Sequence, residues 1–270
     1  MTELGNPVAR VRSMIAVAAV AIVFVVGGCS SDNELEYVER PVNELYNDAM
    51  NNMETGQYKQ AAKLFDEVER QHPYSQWAVR AQLNTGYAYY RANEYDDAVA
   101  ALDRFIDQQP AHPDLDYAYY LRGLCYYERI STIDRDQEMT ELARRSFEEL
   151  IARYPASKYS QDARIKLDLT IDHLAGKEMD IGRFYMRQKN YLSAINRFKT
   201  VVDRYQTTTH VPEALLRLTE AYTTIGLDEE ARKTAAVLGY NYPNSDWYAD
   251  AYALVGDDGA AHHGAWYRFW

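Results

Sequence analysis

The sequence contains little cysteine and an unbalanced set of charges. Its 270 residues include two cysteines, Cys29 beside an N-terminal leader and Cys125, so no disulfide can form within the folded region. Lys and Arg number 29 against 40 Asp and Glu, which gives a formal net charge of −11. This acidity argues against nucleic-acid binding, because nucleic acids require a basic surface. Because no disulfide is available, packing alone must hold the fold together.

Long apolar runs are also scarce, and the one that occurs lies near the N-terminus. Residues 14–26 are all apolar, follow two arginines and lead into Gly27-Gly28-Cys29. A helix of this length reaches about 20 Å, which is short of the roughly 30 Å hydrocarbon core of a bilayer. Residues 1–28 are therefore predicted to be a cleaved signal peptide rather than a transmembrane helix.

The small residues before Cys29 resemble the bacterial lipobox, in which the cysteine is lipidated and becomes the first residue of the mature chain. Cys29 is therefore the predicted lipidation site, and residues 29–40 form a tether to a folded part in the periplasm. Several acyl chains give stable membrane attachment. Ser30 resembles the pattern of lipoproteins exported to the outer membrane. The alternatives are an ordinary leader followed by a chance cysteine, or an uncleaved anchor.

Five later segments repeat one pattern of a small residue, a turn, an alanine and a large apolar residue. Each segment resembles a tetratricopeptide (TPR) unit, a helical hairpin that must stack on neighbours to bury its apolar face. The small residue lets two helices approach closely, and the large one fills the notch. The sequence therefore predicts an all-α TPR solenoid of about five repeats. The residues that define the pattern are Ala49 and Phe65, Gly86 and Leu102, Gly123 and Phe147, Gly182 and Phe198, and in the fifth segment Tyr222, Gly226 and Ala235.

The predicted repeats fall into two groups. Residues 41–157 hold repeats 1–3, with an insertion in the third repeat. Residues 158–255 hold a long linking helix and repeats 4 and 5, and residues 256–270 form a flexible tail. Pro-x-Ser links separate several helices, because proline ends one helix and serine caps the next. Pro113 is predicted to occupy the first position of a helix instead.

Once the core positions are assigned, one face of the first helix in each repeat points away from the core. In repeats 1–3 this face is predicted to form a concave peptide-binding groove. Tyrosine offers broad contact area and a hydroxyl, and arginine can grip a carboxylate, so an extended peptide with aromatic side chains or a free C-terminus would suit it. The alternative is a buried stripe of core residues under the long helix or the tether. The predicted groove residues are Tyr46, Arg80, Leu83, Tyr87, Tyr90, Arg91, Tyr117, Tyr120 and Tyr127.

No pattern typical of a catalytic or metal site stands out. Cys125 has no partner thiol and is predicted to be a small buried hydrophobe. The adjacent His262 and His263 do not form a metal site by themselves. Acidic pairs such as Asp96-Asp97 occupy solvent-facing helical positions. The chain is therefore predicted not to be an enzyme and to need no metal or cofactor.

The middle of the chain is more specific than a generic TPR pattern. Residues 101–106 (ALDRFI), 111–124 (AHPDLDYAYYLRGL) and 153–159 (RYPASKY) closely resemble the BamD family, the TPR lipoproteins of the outer-membrane β-barrel assembly (BAM) machine. The resemblance spans about residues 42–238. It implies a scaffold, lipid-anchored to the outer membrane on its periplasmic face, that binds the POTRA repeats of BamA, other BAM lipoproteins and unfolded outer-membrane β-barrel proteins. In that family an arginine of the fourth repeat contacts BamA, and Arg197 matches it.

The leading hypothesis is therefore a scaffold that brings nascent barrel proteins to BamA. A second hypothesis is a different periplasmic TPR lipoprotein that coordinates peptidoglycan synthesis or cell division, and an enzyme with paired carboxylates is a third. The tail ends in Trp266-Tyr267-Arg268-Phe269-Trp270 and lies outside the resemblance. It is either a disordered end or an imitation of a barrel substrate that occupies the protein's own groove.

Overall fold

The computed structural model describes residues 39–256, and every regular element in that range is an α-helix. The helix Lys158–Arg187 spans 30 residues, and none of the helices in this range is long and apolar enough to cross a membrane. The predicted signal peptide, nearly all of the tether and the aromatic end of the tail lie outside it. Numbered in chain order, the helices are α1 (Val42–Glu54), α2 (Tyr58–Gln71), α3 (Gln76–Arg91), α4 (Tyr95–Gln108), α5 (Leu115–Tyr127), α6 (Glu138–Arg153), α7 (Lys158–Arg187), α8 (Tyr191–Arg204), α9 (Val211–Thr224), α10 (Asp228–Asn241) and α11 (Asp246–Val255).

Consecutive helices pack in pairs, and neighbouring pairs pack on one another. The pairs are α1 with α2, α3 with α4, α5 with α6, α7 with α8 and α9 with α10, while α11 packs on α9 and α10. Helical hairpins stacked in this way are the architecture of a TPR solenoid. The predicted all-α fold class is confirmed, and so is the single long helix that links the first three hairpins to the last two; this helix, α7, is itself the first helix of the fourth hairpin.

Glycines allow the two helices of a hairpin to approach closely where they cross. A Cβ atom added at these glycines would come closer than 3.0 Å to a large side chain on the second helix, a separation that real Cβ atoms essentially never show. The notch predicted from the repeat pattern is therefore present. The pairs and their closest distances are Gly86 with Leu102 at 2.7 Å, Gly123 with Phe147 at 2.6 Å, and Gly182 with Phe198 at 2.4 Å.

Serine caps three of the helices that follow a Pro-x-Ser link. The Oγ atom of Ser75 accepts a hydrogen bond from the backbone N–H of Ala78 at 3.1 Å. Ser157 and Ser245 cap α7 and α11 in the same way. These bonds satisfy backbone donors that a helix start would otherwise leave unpaired.

The prediction for Pro113 is wrong. Helix α5 begins at Leu115, and Asp114 takes the position before it, so Pro113 precedes the cap. Pro212 lies in the first turn of α9 instead, where its missing N–H removes no helical hydrogen bond.

Residues with a left-handed backbone shape four of the hairpin turns. Gly56 and Gly226 have φ values of 78°, and Asn93 and Lys189 have values of 60° and 59°. Glycine has no Cβ to clash in this conformation, and asparagine tolerates it. Lysine has neither advantage, so Lys189 holds backbone strain in the turn between α7 and α8.

The core consists of three apolar clusters that follow one another along the chain. The first draws its buried residues from α1–α3, the second from α4–α7 and the third from α7–α11. Helix α7 joins the last two, because Ala163 belongs to the second cluster while Ala175 and Met179 belong to the third. Cys125 is fully buried in the second cluster, as predicted, and desolvation raises the pKa of its thiol to about 12.

Candidate peptide-binding surface

The predicted groove residues lie on the first helices of hairpins 1–3. One lies on α1, five on α3 and three on α5. Arg80 and Arg91 are exposed, whereas Leu83 and all six tyrosines are half-buried. These helices present a half-buried aromatic face with two exposed cations.

Five of the predicted residues form one group at the junction of α3 and α5. Tyr117 interacts electrostatically with Tyr87, Tyr90 and Arg91, and Tyr120 does so with Tyr90 and Tyr117. Desolvation is the largest cause that raises the pKa of both Tyr117 and Tyr120. Their hydroxyls therefore stay neutral and can both donate and accept hydrogen bonds. We call Tyr87, Tyr90, Arg91, Tyr117 and Tyr120 the tyrosine surface.

Arg91 forms an exposed basic edge of the tyrosine surface. Its guanidinium donates hydrogen bonds to the hydroxyl of Tyr87 at 2.9 Å and to that of Tyr58 at 2.5 Å, and it lies 4.6 Å from the Tyr58 ring centroid. The hydrogen bond to Tyr87 is the main reason why the pKa of Arg91 is raised. Two hydroxyls thus orient the guanidinium and leave it open to solvent, where it can meet a carboxylate.

Two charges of opposite sign act on Tyr90. Desolvation is the largest cause that raises the pKa of Tyr90 to about 12, the negative charge of Glu128 adds to it, and Arg91 opposes it. The ring of Tyr95 packs with its centroid 6.0 Å from that of Tyr90. We call Arg91, at the end of α3, the basic edge of the tyrosine surface and Glu128, at the end of α5, its acidic edge.

The start of α7 covers part of the tyrosine surface. Tyr159 stacks on Tyr120 with ring centroids 5.1 Å apart and an interplanar angle of 20°, and its centroid lies 5.1 Å from that of Tyr117. The hydroxyl of Tyr120 donates a hydrogen bond to Asp162 at 2.5 Å. The alternative of a stripe buried under the long helix thus describes the α5 tyrosines in part, while Arg91 on α3 stays exposed.

Tyr46 and Arg80 belong to a separate group on α1 and α3. The hydroxyl of Tyr46 accepts a hydrogen bond from Asn84 at 2.8 Å, and its ring centroid lies 4.7 Å from that of Trp77. Arg80 lies over the same Trp77 ring, 5.7 Å from the centroid. Trp77 was missed from the sequence, although its place two residues after Ser75 is the signal that could have found it.

The remaining groove residues, Leu83 and Tyr127, pack against the second core cluster. The ring of Tyr127 lies 6.1 Å from that of Phe147, and the ammonium group of Lys166 lies 5.4 Å from its centroid. The central tyrosines pack against the same cluster, so the whole predicted face rests on this part of the core.

Helix α7 adds exposed apolar residues that were also missed. Ile165 and Leu169 are 59% and 56% exposed and lie four residues apart, on one face of the helix. Both α3 and α7 follow a Pro-x-Ser link, so counting from the cap serines places Ile165 at the position of Leu83 and Leu169 at that of Tyr87. That correspondence was the signal that could have found them.

Arg197 on α8, the predicted partner-binding residue, pairs with Glu178 on α7. The guanidinium Nη1 lies 3.1 Å from a carboxylate oxygen, and the side chains of Arg197 and Glu178 are 42% and 18% exposed. Glu178 therefore orients the guanidinium while much of it stays accessible to another molecule.

The described site offers aromatic packing, neutral hydroxyls and charged groups at its edges. Between residues 39 and 256, no three His, Cys, Asp or Glu side chains come together in a way that could hold a metal ion. The predicted lipidation site Cys29 and the pair His262 and His263 lie outside the described residues. Stacked helical hairpins closed by glycine notches define a class of protein, the TPR solenoids.

The chain is similar to known proteins over most of its length. A family described as "YfiO: Outer membrane lipoprotein" matches residues 38–238. The outer membrane protein assembly factor BamD of Caulobacter vibrioides is 48% identical over 251 residues, which cover 92% of this chain and 82% of the relative. BamD of Rickettsia prowazekii is 47% identical over 238 residues, which cover 88% of this chain and 95% of the relative. The chain therefore belongs to the BamD family of outer-membrane protein assembly factors.

Solved TPR structures match at low sequence identity. The TPR domain of P58(IPK) is 14% identical with a TM-score of 0.42, covering 79% of this chain and 55% of that one. A thermophilic TPR protein of Thermus thermophilus is 16% identical with a TM-score of 0.37, covering 79% of this chain and 100% of that one. Because these scores are low, the TPR fold is assigned from the hairpins and their glycine notches.

Proposed function

We propose that this protein is a lipid-anchored, non-enzymatic scaffold that helps to fold β-barrel proteins and insert them into the outer membrane. Membership of the assembly-factor family supports the process, and the solenoid supplies a surface for it. The observation that carries the proposal is the tyrosine surface, a half-buried group of aromatic rings with Arg91 exposed at the end of α3 and Glu128 exposed at the end of α5. The alternative role in peptidoglycan synthesis or cell division has no comparable support.

The proposed client of the tyrosine surface is an unfolded outer-membrane β-barrel protein. Tyrosine rings offer broad contact area at low entropic cost, and their neutral hydroxyls can bond to the backbone of an extended chain. Barrel strands alternate apolar and polar residues, so one side of such a segment can pack on the rings while the other faces water. Arg91, held by two tyrosine hydroxyls, can pair with a carboxylate of the same segment.

The proposed partner surface lies on the C-terminal hairpins around Arg197. There the protein binds the POTRA repeats of BamA, and the assembly includes other BAM lipoproteins. Support comes from the family resemblance at this position and from Glu178, which holds the guanidinium in place without covering it. A charge-assisted hydrogen bond from Arg197 to an acidic side chain of BamA fits this arrangement.

We infer that the protein is anchored to the outer membrane with its helices on the periplasmic side. The lipobox-like residues before Cys29 support a lipid anchor, and the matching family is described as an outer membrane lipoprotein. A lipidated Cys29 followed by a tether over residues 29–40 keeps the solenoid close to the inner leaflet.

Photo-crosslinking in cells tests the proposed function. A p-benzoylphenylalanine side chain at Tyr90 should crosslink to nascent β-barrel proteins, because that ring lies in the tyrosine surface. The matched control is Tyr240 on α10, which is 87% exposed and lies far along the chain from the tyrosine surface; it should give little or no client crosslink. Equal crosslinking from both positions, or none from Tyr90 while barrel assembly proceeds, would refute the client site.

A further inference from the structure

A cleft of about 520 Å³ opens where the end of α5 meets the middle of α7, next to the acidic edge of the tyrosine surface. Tyrosine, isoleucine and leucine side chains supply its apolar walls, and Leu169 is more than half exposed there. The residues that line the cleft are Tyr127, Glu128, Ile130, Leu169, Asp172 and His173.

The polar groups of the cleft are two carboxylates and an imidazole. Glu128 is exposed to solvent. Asp172 is held in place because one of its oxygens accepts a hydrogen bond from the Thr209 hydroxyl at 3.0 Å while His210 lies 3.5 Å from the other. The Nε2 atom of His173 is buried and has no hydrogen-bond partner. Leaving a buried polar atom unpaired is costly.

Two basic side chains close to the cleft are already paired with carboxylates elsewhere. The ammonium group of Lys166, which lies over Tyr127, is 3.2 Å from Asp162. Arg129, the chain neighbour of Glu128, pairs with Asp96 at 2.6 Å. None of the six lining residues is a lysine or arginine. The cleft therefore combines negative charge with an aromatic and aliphatic wall.

We propose that this cleft is a subsite for an arginine side chain of the bound client. The inference rests on the proposed function, since the client chain supplies the arginine. The guanidinium donates hydrogen bonds to Glu128 and Asp172. Its methylene stem packs on Ile130 and Leu169, while Tyr127, whose ring already carries Lys166, serves as an apolar wall. Arginine is preferred to lysine because a planar guanidinium can donate hydrogen bonds to two carboxylates at once.

The cleft gives the tyrosine surface a direction. Arg91 ends α3 and donates a hydrogen bond to Tyr87, whereas Glu128 ends α5 and lines the cleft. A client segment therefore binds with its arginine towards α7 and a carboxylate towards Arg91. A segment with these charges reversed meets like charge at both edges and binds more weakly.

Paired peptides test the subsite. Synthetic peptides of about 12 residues alternate aromatic and polar residues like a barrel strand, with one arginine at each polar position in turn or uncharged citrulline in its place. Fluorescence anisotropy measures their binding to the purified full-length protein. At the best position, citrulline should lower the affinity about fivefold. Glu128→Gln should remove that difference, whereas Asp107→Asn, which deletes an exposed carboxylate of α4, should preserve it.

The results separate the two proposals. Loss of the arginine preference in Glu128→Gln and its retention in Asp107→Asn support the subsite. Equal affinity for arginine and citrulline peptides at every position refutes the subsite but leaves the tyrosine surface as the client site. Absence of binding by every peptide overturns the subsite, and the Tyr90 crosslink then decides whether the proposed function survives.

Discussion

Single glycines determine how closely the two helices of a hairpin approach each other. At Gly86, an added Cβ would lie 2.7 Å from both Cγ and Cδ2 of Leu102, and Leu102 is fully buried. A side chain packed on all sides cannot move away without disturbing its neighbours. The close contact between α3 and α4 therefore requires a residue without a side chain at position 86.

Replacing Gly86 with leucine should lower the free energy of unfolding by about 1–3 kcal/mol, because the added atoms overpack the contact with Leu102. Urea unfolding followed by circular dichroism measures the change. The matched control is Ala100→Leu at an exposed position of α4, which should shift stability by less than about 0.5 kcal/mol. An unchanged midpoint for Gly86→Leu would contradict the packing of this hairpin.

Replacing Lys189 with glycine should raise the free energy of unfolding by about 0.5–1 kcal/mol. The left-handed conformation costs a non-glycine residue about 1–2 kcal/mol, and the larger entropy that glycine loses on folding cancels part of the gain. The control is Lys199→Gly within α8, which should lower stability by about 1 kcal/mol. Changes of the same sign in both variants would show that the turn holds no strain at Lys189.

Helix α7 begins with a serine that makes two kinds of contact. The Oγ atom of Ser157 accepts a hydrogen bond from the N–H of Tyr159 at 3.1 Å and donates one to Asp116 on α5 at 2.6 Å. The first bond caps the helix, and the second fixes its start against the helix that carries the α5 tyrosines.

Ser157→Ala should therefore cost more stability than Ser75→Ala, its matched control. Ser75 caps α3 through the N–H of Ala78, and its loss should cost about 1 kcal/mol. Loss of Ser157 should cost about 2 kcal/mol, because the bond to a charged carboxylate is lost as well. Thermal unfolding of both variants in one buffer gives the comparison, and equal losses would mean that the Asp116 bond adds no stability.

The hairpins could be predicted from the sequence because a small residue and a large one recur together, 16 residues apart in Gly86 with Leu102 and in Gly182 with Phe198. The start of α5 could not be predicted in this way, because proline and aspartate are both common at helix starts and Pro113 and Asp114 are adjacent. Ile165 and Leu169 were missed for a further reason. Asp168 lies 11 residues after Ser157, at the place that Gly86 holds after Ser75, and Gly182 follows 14 residues later. Because an aspartate stands at the place of the small residue, the repeat pattern did not identify this part of α7 as a first helix.

The candidate site could be predicted as a stripe of side chains but not as a surface. The spacing of Tyr87, Tyr90, Tyr117 and Tyr120 identifies one face of two helices. The cover that Tyr159 provides could not be read from that spacing, because it depends on how the long helix crosses α5. Contacts between residues far apart in the chain set which part of the stripe stays open.

At the scale of the whole molecule, Arg197→Glu should weaken co-purification with BamA and leave the helical circular dichroism spectrum intact. A glutamate at position 197 would repel the acidic side chain of BamA that is proposed to bind Arg197. A glutamate also repels Glu178, so Arg197→Gln separates loss of contact from that repulsion and should weaken capture to a smaller degree. Lys199→Glu, an equal charge change at an exposed site two residues away, should retain BamA. Normal co-purification of Arg197→Glu would remove this residue from the interface.

Helix α7 runs without a break between the second and third apolar clusters. Its 30 residues extend about 45 Å, and each half is embedded in a different apolar cluster. Because no turn interrupts α7 between these clusters, we expect a rotation imposed on the last hairpins to be transmitted along this helix to the hairpins that carry the tyrosine surface.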